Sequence, residues 1–476
     1  MDISSASGLN VQGFGNGSVI NANVTCVGPI NFTNKNLGGE GTMTINGNLF
    51  TVPSGNYSYW YQKNLTVNGT ITVDGGPGSY IGGISPGMHN YNGDISVTNG
   101  GTLFLESGMV INDDINITTD SRLNLKYNRG SRTIGTGATI TNNGQFNASA
   151  GADVTINCPV TGNGQIFIES TNSSRMIFNN GISANHKLIL EGRAEFNNVA
   201  ATIKDFDFGG VLSGNAPVQV SNTAFWRDGG PTTGPNYSGS AGLTFMNTCT
   251  LTVSGGHKQN YGAITINGPI TGSFPPSIVG DGSVTVNTPT FFTSDADREI
   301  MNQDVTYNAT HTKTGSGSNT YGGSNGSLTN NSVMFQNSTG TIFVGNNFVN
   351  NDTLKVTQNK YQQTAGSFTN NAGKFIKGAA LADLSGASSV NNNGTMAPGL
   401  SPGILTVTRA AGVPVNHLQI EVASNAGPGT GHDQLVVNGP ATLSGGTLTV
   451  TRLNGFVPSN GSSYIIMTYS SRTGSF

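Results

Sequence analysis

Charge is what this chain lacks most. Only 9% of its residues are Asp, Glu, Lys or Arg, against about 25% in an average soluble domain. The 21 basic residues are outweighed by 24 acidic ones and form no basic run. That excludes the electrostatic footprint of a nucleic-acid-binding protein. Long apolar runs are missing too. They stop after a few residues, as at Tyr464–Met467, where a membrane-spanning helix needs about 20. Cysteine is scarce, and Cys26, Cys158 and Cys249 lie far apart. They have no metal-ligand spacing and are too few for a disulfide framework. They read as small buried apolar residues, with a single disulfide as the alternative. Helical patterning is absent, since no long stretch places apolar residues at i, i+3, i+4 and i+7.

What remains is rich in small polar residues. There are 69 glycines, and Asn, Thr and Ser fill most other polar positions. Disordered chains combine low hydrophobicity with high net charge. Here 35% of residues are hydrophobic and the net charge is −3, so the chain has the material for a core under a neutral, amide- and hydroxyl-rich surface. Its 476 residues exceed the roughly 100–200 of an ordinary domain. Repeat solenoids escape that limit, because each repeat packs only on its neighbours.

Short alternating runs occur throughout. Leu65, Val67, Ile71 and Val73 alternate with Thr66, Asn68, Thr70 and Thr72. Ile95 and Val97, then Leu103 and Leu105, flank Asn99-Gly100-Gly101. Near the end Leu435, Val437, Ala441 and Leu443 alternate with polar residues, and Leu448 and Val450 follow Gly445-Gly446. Period two puts one set of side chains inside and the other in solvent. A repeat sharpens the reading. Asn-Asn recurs at 330, 350, 370 and 391, in steps of 20, 20 and 21. Leu328, Phe348 and Phe368 each precede it by two positions, and Ile140-Thr141-Asn142-Asn143 is an earlier cousin. A fixed step of this size marks a solenoid.

The fold class predicted is all-β, a right-handed parallel β-helix (β-solenoid) with roughly 20 residues per coil. Gly and Asn would make the corners. Asn330, Asn350, Asn370 and Asn391 are predicted to form a structural amide ladder along the coils. Residues 1–390 read as the solenoid, with loop insertions near 226–240 and 315–326. Residues 391–476 read as a C-terminal solenoid module.

That module carries the most specific text. Asn393-Gly394-Thr395-Met396-Ala397-Pro398-Gly399-Leu400-Ser401-Pro402-Gly403-Ile404-Leu405-Thr406-Val407 is followed by His432-Asp433-Gln434-Leu435-Val436-Val437-Asn438-Gly439. Gly445 to Val450 and Ser471 to Phe476 complete it. Together they resemble the large secreted repeat proteins of bacteria whose passenger regions are autotransporter-like β-helices. The resemblance implies an exported adhesin or surface protein, with a secretion or sorting domain after the helix. No such domain precedes Phe476, and Met1-Asp2-Ile3-Ser4-Ser5 is no signal peptide. The expectation is therefore a chain whose leader has been removed, or one that is part of a longer protein.

Candidate chemistry is thin. Gly83-Ile84-Ser85-Pro86-Gly87 and Gly399-Leu400-Ser401-Pro402-Gly403 match the G-x-S-x-G pattern. A nucleophile elbow needs a helix after the serine, whereas Pro there fits a tight turn. Asp205 and Asp207 would share the outer face of a strand, with Phe206 and Phe208 on the core side. Two such carboxylates suit a glycan-cleaving acid–base pair, which makes a polysaccharide lyase or glycoside hydrolase the alternative function. They suit solvated surface charges beside Lys204 equally well. Asp295, Asp297 and Glu299 offer oxygens for Ca²⁺ but lack the EF-hand loop. His89, His186, His257, His311, His417 and His432 show no metal-ligand spacing. Tyr57, Tyr59, Trp60 and Tyr61 are the densest aromatic group, suited to stacking on sugars, on a neighbouring subunit or into the core. Thr70/Thr72 and Thr250/Thr252 raise an ice-binding reading, but the pairs are too irregularly spaced for a flat array.

The sequence thus predicts an extracellular, secreted or cell-surface structural or adhesive protein with no catalytic residues, cofactor or metal. Its expected partners are copies of itself stacked end to end, or further parent chain, together with surface glycans or host or neighbouring cells. No nucleic acid and no membrane span are expected.

Overall fold

The computed structural model describes residues 2–3, 9–11, 18–19, 23–32, 36–51, 58–76, 78–81, 88–106, 108–127, 132–170, 174–227, 236–254, 256–272, 277–323 and 325–476. Side chains are described from residue 23 onward, except those at 32–39 and 58–63 and those in the intervening gaps.

Short alternating segments cut by Asn and Gly cannot fold back as hairpins when each corner turns the chain only part of the way round. Each strand instead meets the one a full coil later, in parallel. The result is a parallel β-solenoid of about 16 coils, with successive coils about 22 residues apart. Among the described residues there is no α-helix. The chain divides into two units, Met1–Arg227 with Pro235–Cys249, and Asp228–Gly234 with Thr250–Phe476.

In the first unit one sheet has eight strands, from Leu9–Val11 to Val160–Thr161. Its core row is Ile30, Leu49, Ile71, Ile95, Ile115, Ile140 and Val160, each in register with the next. All are at most 1% exposed. Each such side chain contributes about 1.5–3 kcal/mol by leaving water, so the row is the spine of this unit. At its corners an apolar residue is followed by Asn, and at Asn46, Asn68 and Asn92 then by Gly. Asn68 Nδ2 donates to Asn46 Oδ1 at 2.7 Å, Asn92 to Asn68 at 2.8 Å, and Asn112 to Asn92 at 2.9 Å. Gly135 occupies the next rung, so the row stops. It resumes from Asn179 to Asn157 at 2.8 Å and from Asn197 to Asn179 at 3.2 Å. Glycine follows Asn46, Asn68 and Asn92 because the coils touch there. A Cβ on Gly69 would sit 2.4 Å from the Gly47 carbonyl oxygen.

The second unit contains a nine-stranded sheet from Thr290–Phe292 to Ser471–Ser475. Val305, Leu328, Phe348, Phe368 and Val390 stack as one buried row, with the rings of Phe348 and Phe368 5.3 Å apart. Two asparagine rows flank it. The inner row is buried: Asn330 Nδ2 donates to Asn350 Oδ1, Asn350 to Asn370, and Asn370 to Asn392, each at 2.7 Å. The fourth rung is therefore Asn392, a correction to the expected Asn391, which is exposed and in register with Thr369. The step from 370 to 392 is 22 residues, two more than the step from 350 to 370, and the longer coil moves the second Asn of the pair inward. The outer row runs through Asn267, Asn287, Asn308, Asn331, Asn351 and Asn371, and there each later residue donates to the earlier one.

Of the expected insertions, 228–235 lie outside the described residues. Trp226 is core, 1% exposed and stacked 6.2 Å from Phe208, and the strand Asn236–Tyr237 pairs with Val211 and Leu212. Within 315–326 the strand Asn319–Gly322 pairs with Arg298–Met301 on one side and Ile342–Val344 on the other. The strand Ser389–Asn392 runs across the 390/391 boundary.

Candidate functional site

Asp205 and Asp207 lie on the strand Ala201–Phe208, where Phe206 and Phe208 are buried and the two carboxylates face outward. Their chemistry is already engaged. Asp207 takes both Nε and Nη2 of Arg227 at 2.5 Å, and Arg227 Nη1 reaches Glu191 at 2.8 Å. Asp205 accepts from Asn222 at 2.7 Å and Thr223 at 2.5 Å. Burial alone would raise the Asp205 carboxyl, but these hydrogen bonds outweigh it and hold it below the usual carboxylate range. A general acid needs the opposite shift. Of the aromatic group, Tyr57 lies outside the described residues. Tyr59, Trp60 and Tyr61 fall in the strand Ser58–Val67, with Tyr59 in register with Tyr80. Tyr80 in turn stacks on Phe104 with ring centroids 4.1 Å apart.

Asp295 and Asp297 fasten the next coil. Asp295 accepts from the Ser316 amide and hydroxyl, and Asp297 from the Ser318 amide at 2.6 Å. The Ser316 bonds hold the Asp295 carboxyl below its ordinary range. A different acidic group comes together on a corner of the first unit. Asp94, Asp113 and Asp114 place carboxylate oxygens within 4.8 Å of one another, on exposed and half-exposed residues. Partial burial, then the charges of Asp113 and Asp114, raise the Asp94 carboxyl. The three cysteines are buried and free.

The interior of the second unit holds polar side chains that the sequence reading passed over. His311 is fully buried. Its Nδ1 lies 2.7 Å from Thr290 Oγ1, and its ring stacks on Tyr307 at 4.5 Å. Burial lowers the imidazole to about 3, with nearby Lys313 adding to the effect. Lys313 is buried too. It donates to the carbonyls of Gly315 and Gly317 and to Ser338, and lies 4.8 Å over the Phe292 ring.

Of the two G-x-S-x-G matches, Gly83–Gly87 lies outside the described residues. Gly399–Gly403 is a turn between the strands Thr395–Pro398 and Ile404–Thr408, with no helix after the serine. Ser401 sits at φ 80° and Gly399 at φ 103°. The turn is held from behind by Asp433, 1% exposed, which accepts from the Gly403 amide at 2.7 Å and the Glu421 amide at 2.8 Å. Burial pushes the Asp433 carboxyl up to about 6, with Glu421 adding and the two amides opposing.

No family model matches this chain, and no curated protein or solved structure matches it.

The turn forms one lip of a cleft of about 430 Å³ on the outer face of the second unit. Lys355, Lys377, Ala397 and Gln419 form one outward row across four coils, the first three in direct register and Gln419 next to Leu418, which faces Met396. Lys355 lies 4.5 Å over the Phe335 ring and Lys377 lies 5.5 Å over Phe375. Ser401 Oγ donates to Glu421 Oε2 at 2.7 Å, and Leu400 is 54% exposed at the rim. The sequence signal was faint. Lys355 and Lys377 sit third in successive strands, Thr353–Val356 and Phe375–Gly378, and nothing in the local text ties them to residue 433.

Proposed function

We propose that this protein is an extracellular structural and adhesive solenoid of a bacterial cell surface or matrix, which extends by adding further coils end to end. The observation that carries the reading is an uncovered core row. Leu418 and Ile420 are at most 1% exposed, yet Leu448 and Val450, in register with them one coil later, are 39% and 53% exposed. The strand Ser471–Ser475 pairs only with Pro440–Ser444. Among the described residues Thr447–Arg452 therefore has a strand on one side alone. An open edge backed by exposed apolar side chains is a template for another strand. The occupant is a second copy, or a further coil of a longer chain. Low charge leaves little repulsion to oppose stacking. The resemblance of residues 391–476 to autotransporter-like passengers supports export, and the engaged carboxylates of Asp205 and Asp207 disfavour glycan cleavage.

Sedimentation and electron microscopy of the chain and of a Leu448→Lys, Val450→Lys variant test this. Elongated, concentration-dependent assemblies that the variant loses at unchanged Tm are expected. A dispersed monomer at high concentration would overturn assembly. Polysaccharide turnover abolished by Asp205→Asn or Asp207→Asn would replace the reading with an enzyme.

A further inference from the structure

We propose that the cleft between Lys355, Lys377 and the Gly399–Gly403 turn binds a carboxylate-bearing sugar ring, a hexuronate residue of an acidic polysaccharide. The proposal rests on the adhesive reading for the source of that polysaccharide. Its lysines and the Gly399–Gly403 turn lie on coils before the open edge at Thr447–Arg452, while Gln419 and Glu421 pair directly with Thr449 and Thr451 of that edge strand.

The first argument is electrostatic. Lys355 and Lys377 are in direct register on neighbouring parallel strands, which lie about 4.8 Å apart. Like charges so placed repel. In a chain with only 21 basic residues, stacking two of them is an arrangement that needs a reason. Among the described residues neither has a carboxylate within ion-pair distance. The Phe335 and Phe375 rings beneath them offset part of the repulsion. They also hold the two stems against the sheet, so that both heads stay at the cleft. A monoanion with two oxygens matches two ammonium groups and cancels their repulsion.

The second argument is the rest of the lining. Further along the same row, two coils after Lys377, stands Gln419, with Glu421 two residues on in its strand and Ser401 on the turn, and all three line the cleft. Gln419 offers an amide donor and acceptor. Glu421 already takes the Ser401 hydroxyl on one oxygen and has acceptor capacity left for sugar hydroxyls. A ligand with its carboxylate at one end and vicinal hydroxyls at the other meets both ends of this row. A phosphate monoester would bring more negative charge than a carboxylate so close to Glu421. Phe375 and the exposed Leu400 supply the apolar surface that a pyranose ring covers with its C–H face. The volume of about 430 Å³ is at the small end of ligand clefts and suits one or two sugar rings.

The third argument is preorganisation. The lip that carries Leu400 and Ser401 is pinned by Asp433 through two backbone amides. A Cβ on Gly399 would come 2.2 Å from Asp433 Oδ1. The wall is therefore formed before the ligand arrives, which lowers the ordering cost of binding.

Calorimetry with tri-galacturonate, its methyl ester, galacturonic acid and sodium acetate tests the site, on the chain and on the Lys355→Ala and Lys377→Ala variants. Both lysines are surface residues, and circular dichroism checks that the fold is kept. The trisaccharide is expected to bind saturably and more weakly as salt rises. The methyl ester, and each lysine variant, should lose about tenfold or more, where tenfold corresponds to about 1.4 kcal/mol. Galacturonic acid should bind more weakly than the trisaccharide, and acetate more weakly still. Equal affinity for acid and ester, affinity indifferent to both lysines, acetate matching the trisaccharide, or no saturable binding would each overturn the proposal. Assembly on the same samples separates the two readings. Intact assembly without binding sinks this site alone, and binding without assembly sinks the end-to-end reading alone.

Discussion

Asn370 Nδ2 donates a hydrogen bond to Asn392 Oδ1 across 2.7 Å, closing a buried amide row that begins at Asn330. Each member sits in a dry interior, where an unmet amide group costs about 1–3 kcal/mol. Asn350 both gives to and receives from the row, and it also donates to the Phe375 carbonyl at 3.0 Å.

Asn350→Ala should therefore destabilise the second unit by about 2–3 kcal/mol. Asn351→Ala, in the exposed outer row, should cost less than about 1 kcal/mol, because water replaces the lost partner. Urea midpoints of the two variants decide the matter. Equal losses would show that the inner row is packing and not a hydrogen-bond ladder.

Gly69 and Gly100 separate close approach from backbone conformation. A Cβ on Gly69 meets the Gly47 carbonyl oxygen at 2.4 Å, whereas Gly100, at φ 75°, has nothing within 4 Å. Gly69→Ala should cost more than about 2 kcal/mol through forced separation of the coils. Gly100→Ala should cost only the left-handed penalty of about 1 kcal/mol. Thermal melts that reverse this order would refute the stacked-corner account.

His311 predicts a pH response. Its folded value is lowered to about 3, while an unfolded histidine titrates near 6.5. Above that pH both states hold a neutral ring and nothing changes. Between about 6.5 and 3 the unfolded state binds a proton that the folded state refuses, so stability falls as pH drops through this window. Asp433 acts in the opposite sense. Its folded value of about 6 lies above the unfolded value of about 3.9, so its contribution falls as pH rises from about 4 to 6. His311→Gln should flatten the acid side of the curve, and Asp433→Asn should flatten the other slope. Denaturant titrations from pH 4 to 7.5 read both. An unchanged profile in His311→Gln would remove the buried neutral imidazole from the account.

The architecture was legible because period-two alternation and the Asn-Asn step report directly on which side chains face the core. Leu328, Phe348 and Phe368 and the first three rungs follow from spacing alone. The fourth rung did not, because the coil reaching Asn392 is longer and the second Asn turns inward. The paired asparagines of the first unit announce themselves as Asn46-Gly47, Asn68-Gly69 and Asn92-Gly93, a signal available in the text but uneven in its step. The cleft was hidden for a different reason. Its lining comes from several successive coils between Lys355 and Asp433, and lysine on an outward strand position carries no local mark of its neighbour one coil away. Buried His311 and Lys313 were equally silent, since their surroundings come from coils before and after them.

The two asparagine rows of the second unit point opposite ways. In the inner row each amide N–H points toward the following coil, and in the outer row toward the preceding one. A file of amides aligned head to tail adds its dipoles, as peptide units do along a helix. Two files running in opposition subtract. A stack with so few ionised groups has little other charge to neutralise an axial field, and the three opposed bonds of the inner file offset part of the five of the outer one. One end of the stack then exerts little long-range pull or push on another, and recognition there is left to short-range contact between apolar rows and strand edges.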